Sequence, residues 1–165
     1  MQRYVLLLLF IFSSTYVFCQ NRDDQFAIAN SKIENKTWLI KKECVNDSCY
    51  KMDSDYYYIS KTTYSDSGLL NHNEHFCFGL SHYTYIIDPI ENNIRFVHLS
   101  CSPYICFIDT TKQKNTFKVV LTSEVGKENA ELSFISDKEF FIYPMYGKRV
   151  YFTFLSQGDI GDFAK

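Results

Sequence analysis

From Thr37 to Leu155 the chain is a procession of short apolar segments separated by Asn, Asp, Ser, Gly and Pro, and no stretch in it keeps a helical period. The segments are Thr37 to Glu43, Cys49 to Met52, Tyr56 to Lys61, Glu74 to Leu80, Tyr83 to Ile87, Ile94 to Leu99, Ile105 to Asp109, Thr116 to Thr122, Ala130 to Ile135, Glu139 to Tyr143 and Arg149 to Leu155. Several alternate strictly. In Ala130-Glu131-Leu132-Ser133-Phe134 every second residue is apolar, as in a strand with one dry face. Phe117, Val119 and Leu121, and Phe76, Phe78 and Leu80, repeat the pattern. Parallel strands would need crossovers of a dozen or more residues, usually helical, so antiparallel pairing is expected. Glu91-Asn92-Asn93, Ser136-Asp137-Lys138 and Pro144-Met145-Tyr146-Gly147 read as hairpin turns. The expected fold is all-β, an antiparallel meander of about 8 to 10 strands.

A single short helix is expected over Asp23 to Lys32, with Asp23 or Asp24 as N-cap and Phe26, Ile28 and Ala29 as its apolar stripe. Ahead of it, Arg3, the apolar run Val5 to Phe12 and the Val17-Phe18-Cys19 site read as a secretory signal peptide, residues 1–19. The run is too short to span a bilayer, so no transmembrane segment is expected in the mature chain. Phe18 is too bulky for a lipoprotein site at Cys19, which favours a soluble product beginning at Gln20 over a lipid anchor. The expected divisions are the signal peptide, an N-terminal segment 20–36, a β-domain 37–156 and a frayed tail 157–165, in a secreted or periplasmic setting.

Charge excludes one partner class. The chain carries a net charge of -2, and no basic cluster is longer than Lys41-Lys42, so nucleic acid is not expected. In an oxidising compartment the cysteines read as disulfides. Cys44 with Cys49 and Cys101 with Cys106 share the spacing C-x-x-x-x-C around turn formers, and two local staples are the preferred pairing. Crossed pairings stay open. Cys77 is then left over between Phe76 and Phe78, as a buried thiol.

Catalytic motifs are missing. There is no nucleophile elbow, phosphate loop, H-E-x-x-H or EF-hand ladder, and we expect neither an enzyme nor a cofactor nor a metal. A nucleophile built from Cys77 and a histidine lacks a positioned third group. His72 and His75 fall on opposite faces of a strand, and the histidines read as surface residues. Asp53-Ser54-Asp55 and Asp159-Ile160-Gly161-Asp162 read as solvated turns. Asn35-Lys36-Thr37 and Asn46-Asp47-Ser48 match the N-glycosylation pattern.

A short helix, then a lone Trp38 opening the first strand, then antiparallel strands to the C-terminus, resembles the lipocalin-like (calycin-type) secreted β-barrels over Ile33 to Leu155. In that family a tryptophan closes the barrel floor two residues after a glycine, where this chain has Lys36. The resemblance implies that Trp38 forms the floor with Arg149 packed across it. It also implies a small hydrophobic or aromatic ligand inside, for which alternation selects Phe76, Phe78, Tyr85, Phe96, Phe134 and Phe152 as the lining. The competing expectation is a protein partner, met by an outer tyrosine face on a barrel filled solid, with Tyr56-Tyr57-Tyr58 and Tyr83/Tyr85 as anchors.

Overall fold

The computed structural model describes residues 24–52, 54–62, 77–88, 93–100, 104–123 and 126–159. The signal segment, Cys19, His72, His75, Phe76, Cys101 and the Glu91-Asn92 turn lie outside them. A helix, α1, spans 24–33 and is followed by ten strands. These are β1 Lys36–Val45, β2 Ser48–Lys51, β3 Asp55–Thr62, β4 Cys77–Asp88, β5 Asn93–Ser100, β6 Tyr104–Thr110, β7 Thr116–Ser123, β8 Gly126–Ser136, β9 Glu139–Met145 and β10 Lys148–Gln157.

All pairings are antiparallel, and β1-β3-β4-β6-β7-β8-β9-β10 closes on itself through β10 and β1 as an eight-stranded barrel. Closure pairs Trp38 with Phe154, Ile40 with Phe152 and Cys44 with Arg149. It joins the two terminal strands of the sheet, so neither β1 nor β10 is left as an edge of the ring. Outside the ring, β2 continues the β1 hairpin and β5 pairs with the upper half of β4. β5 occupies the place beside β4 from His82 to Asp88, and β6 pairs with β4 over Cys77 to Gly79, the shortest ladder of the ring among the described residues.

Alternation sends Trp38, Ile40, Ile59, Phe78, Leu80, Phe107, Val119, Leu132, Phe140, Ile142, Val150 and Phe152 inward, all buried. Helix α1 plugs the end where β1 begins. Phe26, Ala29 and Ile33 recur at helical spacing and are buried in the same core, whereas Ile28, placed on the stripe by sequence, is 58% exposed. Asn35, at φ 53°, ends the helix in the left-handed conformation that asparagine tolerates. No helix among the described residues is long and apolar enough to cross a membrane.

Three expectations are corrected. The segments Glu74 to Leu80 and Tyr83 to Ile87 belong to one strand from Cys77, because β3 pairs without a break through Ser81 and His82. Polarity at two positions does not interrupt a ladder whose backbone partners persist. Pro144 lies within β9, and the turn is Tyr146-Gly147, with φ of 55° and 74°. A two-residue hairpin turn of this kind needs positive φ at both positions, which proline cannot adopt. Pro144 costs no pairing where it stands, since β8 stops pairing at Tyr143 and β10 has a register shift opposite. The start of the tail is docked: Gly158 N–H donates to the Asn35 carbonyl (2.9 Å), and Thr37 Oγ1 donates to the Gly158 carbonyl (2.7 Å).

Disulfides join Cys44 to Cys49 and Cys77 to Cys106. The first is the expected staple. The second overturns both the Cys101–Cys106 pairing and the free thiol at Cys77. Cys77 and Cys106 are direct cross-strand partners with Cα atoms 4.2 Å apart, so register brings together residues 29 apart in sequence.

Candidate functional site

The barrel interior is the first place to look for a ligand, and side chains occupy it. Rings contact one another in an unbroken chain from the helix across the barrel. Phe26 meets Phe107 (6.0 Å) and Phe117 (6.2 Å), Phe117 meets Phe134 (6.1 Å), and Phe134 meets Phe140 (5.9 Å). Phe140 then stacks on Phe152 at 4.7 Å and meets the edge of Trp38 at 4.7 Å. Such spacings are those of packed aromatic pairs.

Of the expected ligand lining, Phe78, Phe134 and Phe152 do point inward, yet they are spent on this packing, with exposures of 0, 8 and 1%. Phe76 lies outside the described residues. Tyr85 and Phe96 are cross-strand partners where β4 pairs with β5, the strand outside the ring. Trp38 is fully buried at the helix end, its indole N–H donating to the Ile33 carbonyl at 3.3 Å, as expected of a floor residue. Arg149 does not pack across it. Paired with Cys44 near the far end and pointing outward, its guanidinium lies 5.4 Å from the Phe141 ring and 5.0 Å from that of Tyr143. Lys42 covers Tyr151 at 4.4 Å on the same outer face.

The chemistry gathers at the end opposite the helix, the mouth of the barrel, where the Glu43, Asp55 and His82 side chains are partly exposed. Asp55, Tyr57, His82 and Thr84 share the inward face of β3 and β4 through the pairings Asp55 with Thr84 and Tyr57 with His82. His82 Nε2 lies 2.9 Å from Asp55 Oδ1, and Thr84 Oγ1 donates to the same oxygen at 2.8 Å. The Tyr57 ring stacks on the His82 imidazole, 4.6 Å between centroids and 16° between planes. Across the mouth Lys148 Nζ pairs with Glu43 Oε2 at 2.6 Å, and the Tyr146 N–H donates to Glu128 Oε2 at 2.8 Å. Burial pushes the Tyr57 phenol well above the ordinary range, and the fields of Tyr146, Asp55 and Glu43 add to it. Burial likewise raises Tyr146, with help from Glu128.

The sequence did not single out this group. Asp55 is the first residue of β3 with a side chain 16% exposed, and His82 is 23% exposed, so neither is the solvated group expected. The one signal available was parity: Asp55 and Tyr57 two apart on one strand, and His82 and Thr84 two apart on another. Tyr57 points in, while Tyr56 and Tyr58 flank it with the opposite parity. Tyr83 donates to Asp159 Oδ2 at 3.1 Å, so that expected anchor is engaged by the docked tail. Among the described residues no three His, Cys, Asp or Glu side chains come together as a metal site.

No family model, curated protein or solved structure matches the chain. Fold and site define its class instead: an eight-stranded antiparallel barrel with an aromatic-packed interior, a helix at one end, and tyrosines and carboxylates gathered at the other.

Proposed function

We propose that the protein is an extracytoplasmic, non-catalytic binding protein that engages a protein partner through its open end, on a lipocalin-like scaffold that stores no ligand inside. The observation that carries this reading is the ring chain from Phe26 to Trp38, which fills the space a stored ligand would need. Exposed apolar side chains also gather near the open end. Val45 and Tyr50 lie on the β1–β2 hairpin and Tyr146 on the β9–β10 turn, 42, 63 and 53% exposed. Tyrosine on such a rim is a favoured anchor for protein partners. The two disulfides support an oxidising compartment.

Two measurements test the reading. A photo-crosslinking residue at position 146 should capture a partner from the producing cell's extracytoplasmic fraction, while the same group at position 135, on the helix end, should not. An environment-sensitive apolar dye should show no saturable binding to the intact protein. Saturable dye binding that weakens in Phe78→Leu would restore the stored-ligand reading and overturn this one.

A further inference from the structure

We propose that the open end receives an organic cation, the ammonium or guanidinium group of an amine ligand or of a partner's lysine or arginine side chain. This rests on the open end being the binding face.

The central observation is Tyr57. Only 6% of it is exposed, and its ring is fixed between the stacked His82 and the edge of Phe152, 5.9 Å away. Its hydroxyl makes no hydrogen bond to another described residue and is not among the fully buried polar atoms, so it faces the solvent of the mouth. Nearby hydroxyls are engaged: Thr84 donates to Asp55, and Thr153 donates to Glu139. The phenol therefore stands at the mouth with an acceptor and a donor both unused.

The charges around it select what it can meet. Glu43, Asp55 and Glu128 lie on the inward face of β1, β3 and β8, and Lys148 is paired with Glu43 among them. Among the described residues three carboxylates against one ammonium leave the mouth negative, and the upward push on Tyr57 from Asp55 and Glu43 reports the same field. An anion would be repelled. A bare metal ion would find too few ligands, since Asp55 Oδ1 is already shared by His82 and Thr84. An ammonium or guanidinium suits the site: it donates to the phenol oxygen, gains from the Asp55 and Glu43 carboxylates, and has the exposed Tyr146 ring to lie against.

The test uses the full chain with its disulfides intact, followed by NMR of the Tyr57 and His82 ring resonances. The probes are n-butylammonium, n-butylguanidinium, butyrate, and a short arginine-centred peptide with its citrulline counterpart. Both cations and the arginine peptide should shift these resonances saturably, butyrate and the citrulline peptide should not, and raising salt to about 0.5 M should weaken binding. Tyr57→Phe keeps the packed ring and removes the hydroxyl, and Glu43→Gln removes a charge while keeping shape. Each should weaken binding about fivefold or more. If the peptide binds about tenfold tighter than butylguanidinium, the natural source is a protein side chain; equal binding assigns a free amine. Butyrate binding as well as the cations, or unchanged affinity in both variants, would overturn the proposal. Loss of the cation response while position 146 still captures a partner sinks the cation alone, and loss of both sinks the open-end reading with it.

Discussion

Tyr57 is the one tyrosine of the core cluster, and its hydroxyl makes its burial depend on pH. Its folded pKa is raised above the ordinary phenol value of about 10, so the folded state holds the proton more tightly than the unfolded chain. The stability tied to that proton is complete below about pH 10 and is lost as pH rises beyond it. Urea midpoints followed by circular dichroism should therefore stay flat to about pH 9 and fall above it. In Tyr57→Phe the alkaline fall should be shallower, with Tyr146 supplying a smaller remainder; parallel curves for both proteins would contradict this account. Trp38 has no titration to contribute, only volume and one N–H bond to the Ile33 carbonyl. Trp38→Ala should cost about 3–5 kcal/mol in equilibrium unfolding, because the surrounding rings relax only partly into the space. Parity made the inward role of Phe78, Phe134 and Phe152 legible from sequence, and the lipocalin-like resemblance pointed to Trp38. It was silent on Arg149, whose partner across the sheet depends on where β10 meets β1.

At the scale of the element, the shortest join in the barrel among the described residues is β4 with β6, three residue pairs there, crossed by the Cys77–Cys106 disulfide. The chain-entropy model assigns about 3.6 kcal/mol to a loop of this length and about 2 kcal/mol to the short loop of Cys44–Cys49. The double variant Cys77→Ser/Cys106→Ser should thus lose more stability than Cys44→Ser/Cys49→Ser in the same urea titration. Non-reducing peptide mapping should recover both linkages, and a Cys101–Cys106 fragment in quantity would refute the register described here. The misassignment has a physical source. Two cysteines five apart around a turn resemble a staple, but whether they meet depends on the ladder, and here β5 hands over to β6 between them so that Cys106 comes to face Cys77. The first pair was legible because Cys44 and Cys49 sit inside one hairpin whose turn, Asn46-Asp47, fixes its own register.

For the molecule as a whole, filling is the property that bears on function. Phe152 stacks on Phe140 and abuts Tyr57, so Phe152→Ala should open an apolar cavity near the barrel axis. The variant should be destabilised by about 3–5 kcal/mol and gain benzene-sized ligand binding that the parent lacks, read by calorimetry. If the parent already binds such ligands, its interior is not filled as described. An all-β meander, the helix before it, the inward residues of most strands and the hairpin disulfide were determined by the sequence alone, because period and turn chemistry are local properties. Only the tertiary structure decided that the sheet closes through β1 and β10, that the rings meet one another and not a ligand, and that Asp55, Tyr57, His82, Glu43, Glu128 and Lys148 converge on one mouth. Each of these is set by registers between strands distant in sequence, and a register shift of one residue would turn a whole strand inside out.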